Sequence, residues 1–169
     1  MTTAASAAPQ SAYDFTLEAI EGGPLPLAQF RGRPILVVNT ASFCGYTGQY
    51  AGLQKLHEQY GPQGLVVLGI PSQDFNQESG DAKTIKQFCD ANYNVTFPMT
   101  TLAHVRGSQA SPFYAFLAQA SGAAPRWNFH KYLVARDGRV VKSFATQTGP
   151  ESRELMAAIT AAIAAAPAS

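Results

Sequence analysis

Apolar residues along this chain form two unbroken runs, over 35–38 and 65–70, with a segment of helical spacing between them. Unbroken apolar runs are typical of strands that are buried on both faces of a parallel sheet. In the intervening segment Leu53, Leu56 and Tyr60 recur at spacings of three and four, which predicts a helix over 49–60. Strand, helix and strand together predict a βαβ unit with a right-handed crossover.

Weaker patterns on both sides of this unit predict the remaining elements. Gly22-Gly23, between residues 13–17 and 24–30, indicates the turn of an N-terminal β-hairpin. Asp137-Gly138 is a strong signal for a second hairpin. Further helices are predicted over 81–91, 111–122 and 150–165. The order of elements predicts an α/β fold in which a central mixed β-sheet is flanked by helices and preceded by a β-hairpin.

Composition narrows the class of protein without identifying its chemistry. With 169 residues, 46% of them hydrophobic, the chain is long and apolar enough for one domain with a core. A net charge of +1 gives no reason to expect a nucleic acid or a membrane surface as partner. No segment approaches the ~20 apolar residues of a membrane span. The three histidines lack the spacing of metal ligands, so we expect no metal and no other bound cofactor.

The first residues of the chain differ in composition from the rest. Residues 1–11 are rich in Ala, Ser and Thr, and they lack the basic start and the apolar stretch of a signal peptide. We expect a flexible tail over 1–11, a single domain over 12–166 and a cytoplasmic location. Two cysteines are too few for a disulfide framework, which agrees with that location.

Cys44 carries the clearest chemical signal in the chain. It falls between the first buried strand and the helix over 49–60, where backbone N–H groups and the helix dipole both favour thiolate over thiol. Thiolate is the form that attacks electrophiles. Cys44-Gly45-Tyr46-Thr47 looks like a Cys-x-x-Cys redox pair that has lost its second sulfur, and we expect Thr47 to cap the helix.

Four segments of the chain resemble the glutathione peroxidase family of the thioredoxin-like superfamily. They are residues 38–47, 68–75 with Gln77-Glu78, 95–99, and 127–134. Each segment alone is a weak signal, but all four occur in order on a matching series of elements. The resemblance covers about residues 13–159, and it implies a thioredoxin-like fold and the reduction of peroxides by a thiol.

The resemblance also implies three residues of the site. Cys44 occupies the position that reacts with peroxide, and Trp127 and Asn128 occupy the positions of two polar partners of the sulfur. A thiolate displaces hydroxide or alkoxide from the peroxide O–O bond and becomes a sulfenic acid. The indole N–H of Trp127 only donates and the amide of Asn128 carries two donors, so both suit negative charge on sulfur or on the leaving oxygen.

The chain departs from the family pattern in the loop after the second buried strand. The family has a glutamine there that completes the polar set around the sulfur, and strict register places Asp74 at this position. An ionised carboxylate only accepts hydrogen bonds and repels a nearby thiolate. Either Asp74 fills the position, protonated or as a base, or the loop shifts and Gln73 supplies the amide. We favour Asp74.

Cys89 has two interpretations. Relatives that use thioredoxin often carry a resolving cysteine on the helix after this loop, and counting back from Phe97-Pro98 places that position at Asp90. Cys89 is one residue away, which is a turn of about 100° on a helix. It is either a buried cysteine on the inner helix face or a resolving cysteine. The second role requires local unwinding, because the two Cα atoms of a disulfide lie within ~7 Å.

The resemblance implies a peroxidase that reduces hydrogen peroxide or organic hydroperoxides, including those of lipids, and protects against oxidative stress. Thioredoxin and glutathione are the candidate thiol co-substrates. The alternative is a redox-sensing binding protein that is oxidised at Cys44 without efficient turnover, whereas Thr47 weakens the case for a general disulfide oxidoreductase. Only residues 122–126 separate the preceding helix from Trp127, a short connection that resembles the monomeric members, so we expect a monomer.

Overall fold

The computed structural model of the protein describes residues 11–165. Its first sheet is a two-stranded antiparallel hairpin of β1 (Thr16–Glu18) and β2 (Pro24–Pro26). The turn uses Gly22 and Gly23, whose φ angles of 97° and 86° lie in the left-handed region that glycine adopts without steric cost. The predicted N-terminal hairpin is confirmed, with strands shorter than the sequence pattern indicates.

Ser11 belongs to the first element of the fold and not to the predicted tail. Its hydroxyl accepts the N–H of Tyr13, and its own N–H donates to the carboxylate of Asp14, so the two side chains cap a 3-10 helix, Ala12–Asp14. The rest of the predicted tail, residues 1–10, lies outside the described residues, as does residue 166 of the predicted domain.

A mixed four-stranded sheet forms the centre of the molecule. Its strands are β3 (Ile35–Thr40), β4 (Val66–Pro71), β5 (Lys131–Val134) and β6 (Val140–Phe144). They lie in the order β4-β3-β5-β6. β3 and β4 are parallel, whereas β5 runs antiparallel to both of its neighbours. The predicted parallel pair and the second hairpin are therefore both present.

Helices cover both faces of this sheet. They are α1 (Gln49–Tyr60), α2 (Ala82–Tyr93), α3 (Pro112–Ser121) and α4 (Arg153–Ala164). Successive strand residues point to opposite faces, and accordingly Leu36 and Val38 pack in one apolar cluster with α1, α2 and α4. Ile35 and Val37 pack in a second cluster with α3. All six residues of β3 are buried, as the unbroken apolar run predicts.

The register of the sheet decides which loops meet. Val38 pairs with Lys131, and beyond this pair the N–H of Phe129 donates to the carbonyl of Asn39 at 2.6 Å. The loop after β3 and the segment before β5 therefore lie side by side at one edge of the sheet. Among residues 11–165, no helix combines the length and the apolar character needed to cross a membrane.

Gly52, inside α1, allows the segment before α4 to approach the helix closely. A Cβ at this position would stand 2.8 Å from the Cβ of Pro150. Overpacking costs about 1–3 kcal/mol and alanine regains about 0.5–1 kcal/mol of helix propensity, so Gly52→Ala should lower the free energy of unfolding by about 1 kcal/mol.

The matched control is Gly48→Ala, because a Cβ there meets nothing within 4 Å. Its free energy of unfolding should stay within about 0.5 kcal/mol of the wild-type value. Urea denaturation followed by circular dichroism measures both variants. Equal stability of the two would show that the helix moves away from Pro150 at no cost.

Candidate active site

Cys44 lies in the loop between β3 and α1 and is partly exposed. Its N–H donates to the hydroxyl of Thr47 at 2.9 Å, and this hydroxyl donates to the carbonyl of Ala41 at 3.0 Å. The N–H of Tyr46 points at the Cys44 sulfur at 3.3 Å, so a donor faces the charge that a thiolate carries. The residue that caps α1 is Gly48. The prediction that Thr47 caps the helix is therefore wrong, since its hydroxyl closes the Cys44 loop instead.

The loop after β4 supports the Cys44 loop from a second side. The N–H of Phe43 donates to the carbonyl of Gln77 at 3.0 Å. The N–H of Ser42 donates to a carboxylate oxygen of Glu78 at 3.2 Å. Burial raises the pKa of Glu78, although its hydrogen bonds from Ser42 and Ser79 oppose this effect. Gln77 and Glu78 thus hold the two residues that precede Cys44.

Asn128 is fully buried next to the same loop. Its side-chain amide nitrogen donates to the side-chain oxygen of Gln77 at 3.0 Å, and its backbone carbonyl accepts the hydroxyl of Thr146 at 2.6 Å. Gln77 therefore contacts the Cys44 loop through its backbone and Asn128 through its side chain. Sequence reasoning included Gln77 in a family segment but assigned it no role. The signal that could have identified Gln77 is the Gln77-Glu78 pair within that segment.

Trp127 is held at the surface by its backbone and by a ring contact. The amide of Asn39 donates to its carbonyl at 3.0 Å. The ring of Phe75 packs against the indole with centroids 5.4 Å apart, and the Arg106 guanidinium lies 4.2 Å from the centroid of Phe75. The loop that carries Asp74 therefore contacts Trp127 through the side chain of Phe75.

The carboxylate of Asp74 is engaged by the segment 104–106. One oxygen is 2.8 Å from the His104 ring and the other accepts the N–H of Val105 at 2.7 Å. Burial raises the pKa of Asp74, but the hydrogen bonds with His104 and Val105 outweigh it and hold this pKa below its ordinary value. These hydrogen bonds favour the ionised carboxylate over the protonated form.

Gln73 is exposed, and its amide nitrogen donates to the carbonyl of Glu78 at 3.3 Å. Within residues 11–165, the side chains of Gln73 and Asp74 make no hydrogen bond to Cys44, Trp127 or Asn128. Gln77, by contrast, contacts the side chain of Asn128.

Cys89 lies on α2 with 1% of its surface exposed, in the apolar cluster against which Cys44 packs. Desolvation by burial raises the pKa of its thiol to about 11. The rings of Phe43 and Phe88, which precede the two cysteines in the chain, are 6.4 Å apart. Both cysteines are free thiols. Cys89 is thus a buried helix-face cysteine whose helix contacts the Cys44 loop.

Exposed aromatic side chains give the surface beside Cys44 an apolar rim. Phe43 is 63% exposed, Tyr46 38% and Trp127 37%. In the part of the chain that the structure describes, no group of three or more His, Cys, Asp or Glu side chains is arranged to hold a metal ion. The site thus combines a partly exposed sulfur with an apolar surface beside it.

Known proteins are similar to this chain in sequence and in fold. A family model described as glutathione peroxidase matches residues 12–118. A glutathione peroxidase of Lactococcus lactis subsp. cremoris is 44% identical over 147 residues, which are 84% of this chain and 94% of that protein. The hydroperoxy fatty acid reductase gpx1 of Synechocystis sp. is 43% identical over 150 residues, which are 82% of this chain and 89% of that protein.

Solved structures of other proteins have a similar fold. Trgpx in its apo form superposes with a TM-score of 0.78 at 30% identity, over 95% of this chain and 100% of that one. A thiol:disulfide interchange protein of the thioredoxin family from Chlorobium tepidum gives a TM-score of 0.68 at 17% identity, over 94% and 99% of the two chains. The predicted thioredoxin-like fold is confirmed.

The contact of Gln77 with Asn128 gives a prediction for the peroxide reaction. Gln77→Ala leaves the buried amide of Asn128 without its acceptor. The second-order rate constant of the reduced protein with peroxide should fall about 10-fold or more, because a small displacement of a reacting group costs up to ~100-fold. Gln73→Ala should stay within about threefold of wild type, as surface substitutions do. Stopped-flow fluorescence of Trp127 measures both, and equal losses would return Gln73 to the site.

Lys131 gives a prediction for stability. It is fully buried, and its ammonium group donates to the carbonyl of Phe129 at 2.6 Å. Desolvation by burial lowers its pKa from 10.5 to about 7, with partial opposition from the charge of Glu151. Between these two values the unfolded chain binds more protons than the folded one, so this residue makes the free energy of unfolding rise with pH.

In Lys131→Met this contribution is absent. Between pH 7 and pH 9.5 the free energy of unfolding of the wild type should gain on the order of 2 kcal/mol relative to the variant. Urea denaturation of both proteins at the two pH values measures the gain. Parallel pH profiles would mean that the amine keeps its charge inside the fold.

Proposed function

Because the chain belongs to the glutathione peroxidase family and is a thiol-dependent peroxidase, we propose that Cys44 is the residue that reacts with peroxide. One observation carries this assignment. Gln77 hydrogen-bonds both to Phe43, beside Cys44, and to the side chain of Asn128, beside Trp127. This connection supports a single site that contains the sulfur and the two proposed donors.

In the first half of the cycle the Cys44 thiolate attacks one peroxide oxygen. The S–O bond forms, the O–O bond breaks, and the departing hydroxide or alkoxide takes a proton, which leaves a sulfenic acid on Cys44. Asn128 and the indole N–H of Trp127 stabilise the charge that moves from sulfur to the leaving oxygen. The burial of Asn128 strengthens this effect, since fixed donors act more strongly where water is excluded.

In the second half Cys89 resolves the sulfenic acid. Its sulfur attacks the Cys44 sulfur, and the S–O bond breaks to give a disulfide and water. The contact between Phe43 and Phe88 and the packing of Cys44 on the cluster that contains Cys89 support this role. Part of α2 has to unwind for the step, because Cys89 is buried within the helix in the free-thiol state.

The co-substrates follow from these assignments. A protein disulfide is the species that thioredoxin reduces, so we propose thioredoxin as the reductant, with glutathione as the alternative if Cys89 stays buried.

The apolar rim of Phe43, Tyr46 and Trp127 fits organic hydroperoxides, the substrate class in the name of the Synechocystis relative. The sensor alternative is not favoured, because the relatives that match most of the chain are named as enzymes.

We also propose that the protein acts as a monomer in the cytoplasm. The short connection over 122–126 between α3 and Trp127 supports the monomer. The two free cysteines support the location, because reducing compartments keep thiols reduced.

A coupled NADPH assay, run in parallel with a thioredoxin system and a glutathione system, tests these assignments. Cys44→Ser should abolish peroxide-dependent turnover in both systems, because it removes the nucleophile. Cys89→Ser should lose thioredoxin-dependent turnover and still consume one equivalent of peroxide in a rapid burst. Turnover by Cys44→Ser would overturn the proposal. Unchanged turnover by Cys89→Ser would make Cys89 structural, and a wild type that reacts only once with either reductant would favour the sensor.

A further inference from the structure

The turn before β5 contains a backbone conformation that bulky residues rarely adopt. Phe129 has a φ angle of 64°, in the left-handed region, and its side chain is fully buried. An aromatic residue with this φ angle is an outlier. Such outliers persist where the surrounding structure holds them in place, and they are frequent at functional sites. Phe129 directly follows Asn128, so the outlier adjoins a proposed donor of the peroxide reaction.

Buried side chains hold the backbone of this turn at three successive carbonyls, those of residues 127–129. The donors are, in that order, the amide of Asn39 at 3.0 Å, the hydroxyl of Thr146 at 2.6 Å and the amine of Lys131 at 2.6 Å. Asn39 belongs to β3 and Lys131 to β5, whereas Thr146 follows β6. Three separate parts of the fold therefore fix the path of the backbone through the turn.

Thr146 also connects this turn to the helix that follows Cys44. The backbone carbonyl of Thr146 accepts the side-chain amide of Gln49 at 2.8 Å and the amine of Lys131 at 3.4 Å. Gln49 is the first residue of α1. Thr146 thus contacts Asn128 through its hydroxyl and the start of the helix after the Cys44 loop through its carbonyl.

The side-chain amide of Asn128 carries two N–H donors, and one of them is engaged. It donates to the side-chain oxygen of Gln77 at 3.0 Å, and the second N–H has no acceptor among residues 11–165. The asparagine side chain is short, so its amide moves with its own backbone. The hydrogen bond from Thr146 to the Asn128 carbonyl therefore also fixes the direction of the second N–H.

We propose that Thr146 is a positioning residue for Asn128 in the reaction of Cys44 with peroxide. The inference rests on the donor role proposed above for Asn128. The Thr146 hydroxyl holds the Asn128 carbonyl, and the side chains of Gln49 and Lys131 hold the carbonyl of Thr146. The second N–H of Asn128 thereby keeps the direction in which it meets the oxygen that leaves the peroxide.

Removal of the Thr146 hydroxyl leaves the Asn128 carbonyl buried without its side-chain donor, which is costly. We expect the peptide that follows Asn128 to rotate toward another donor and to displace the Asn128 amide. A displacement of about 1 Å costs a reacting group up to ~100-fold in rate. The loss should be confined to the peroxide reaction, because the sulfur of Cys44 keeps its contact with the N–H of Tyr46.

Four variants test the inference. Thr146→Val removes the hydroxyl and keeps a branched side chain, whereas the conservative Thr146→Ser keeps the hydroxyl. Thr160→Val is the matched control, because the hydroxyl of Thr160, exposed on α4, donates to the carbonyl of Met156 at 2.8 Å. The control removes a bond of the same kind away from the turn. Asn128→Ala removes the proposed donor itself.

The experiment compares two reactions of each reduced protein at pH 7. Stopped-flow fluorescence of Trp127, the single tryptophan of the chain, gives the rate constant with hydrogen peroxide. Alkylation by iodoacetamide, assigned to Cys44 by peptide mass spectrometry, gives the rate of a reaction that needs an accessible thiolate but no donor for a leaving oxygen. A purely structural role of Thr146 would not separate the two rates.

Thr146→Val should lose about 10-fold or more in the peroxide reaction and stay within about threefold of wild type in alkylation. Thr146→Ser and Thr160→Val should stay within about threefold in both reactions. A wild-type peroxide rate in Thr146→Val overturns the inference. An equal loss in the two reactions, or a loss as large in Thr146→Ser or Thr160→Val, also overturns it.

Failure of the inference and failure of the proposed function give different results. A slow Asn128→Ala beside an unchanged Thr146→Val overturns the inference and leaves the donor role of Asn128 intact. An Asn128→Ala that reacts at the wild-type rate overturns the donor role and the inference together. A wild type that reacts with peroxide no faster than free cysteine overturns the proposed function.

A second position keeps the test decisive if Thr146→Val does not fold. Gln49→Met removes a donor to the Thr146 carbonyl at a half-buried position. It should slow the peroxide reaction by more than threefold and leave alkylation of Cys44 within about threefold of wild type. Unchanged rates in both reactions, or equal losses, would then overturn the inference.

Discussion

The antiparallel pairing of β3 with β5 is the constraint on which the site depends. It continues past the sheet through the bond from the Phe129 N–H to the Asn39 carbonyl and the bond from the Asn39 amide to the Trp127 carbonyl. Asn39 and Trp127 are 88 positions apart in the chain. This register brings the loop that carries Cys44 and the proposed donors before β5 to one edge of the sheet, and the buried amine of Lys131 donates to the carbonyl of Phe129, the residue that follows those donors.

The burial that fixes the proposed donors also bears on the second half of the proposed cycle. Asn128 and Glu78 keep fixed positions because they lie inside the fold, where their hydrogen bonds have no competition from water. Cys89 lies in the same apolar environment, and its thiol is consequently hard to ionise. In the proposed cycle, oxidation uses the partly exposed sulfur of Cys44, whereas regeneration would require the buried sulfur of Cys89 to lose a proton and leave its helix. The two proposed halves would therefore make opposite demands on the same core.

Local patterns predicted the elements of this fold well, and long-range contacts explain what they missed. The apolar runs of β3 and β4, the spacing of α1 and the Asp137-Gly138 turn each depend on neighbouring residues, and each was confirmed. The partners of Asp74 could not be predicted, because strict register says nothing about where a loop side chain turns. Asp74 turns to His104 and Val105, about 30 residues along the chain, and no local pattern shows such a partner. Thr47 was misassigned for the same reason, since its hydroxyl bonds within the Cys44 loop.

The departure at position 74 has a physical consequence for the site. An amide at this position would donate a hydrogen bond, but a carboxylate needs donors of its own, and the segment 104–106 supplies them. The same segment places Arg106 on the ring of Phe75, which packs against Trp127. Asp74 thus ties the segment 104–106 to the loop that supports the indole. The change from amide to carboxylate removes a donor, and the carboxylate instead holds in place the contacts that position Trp127.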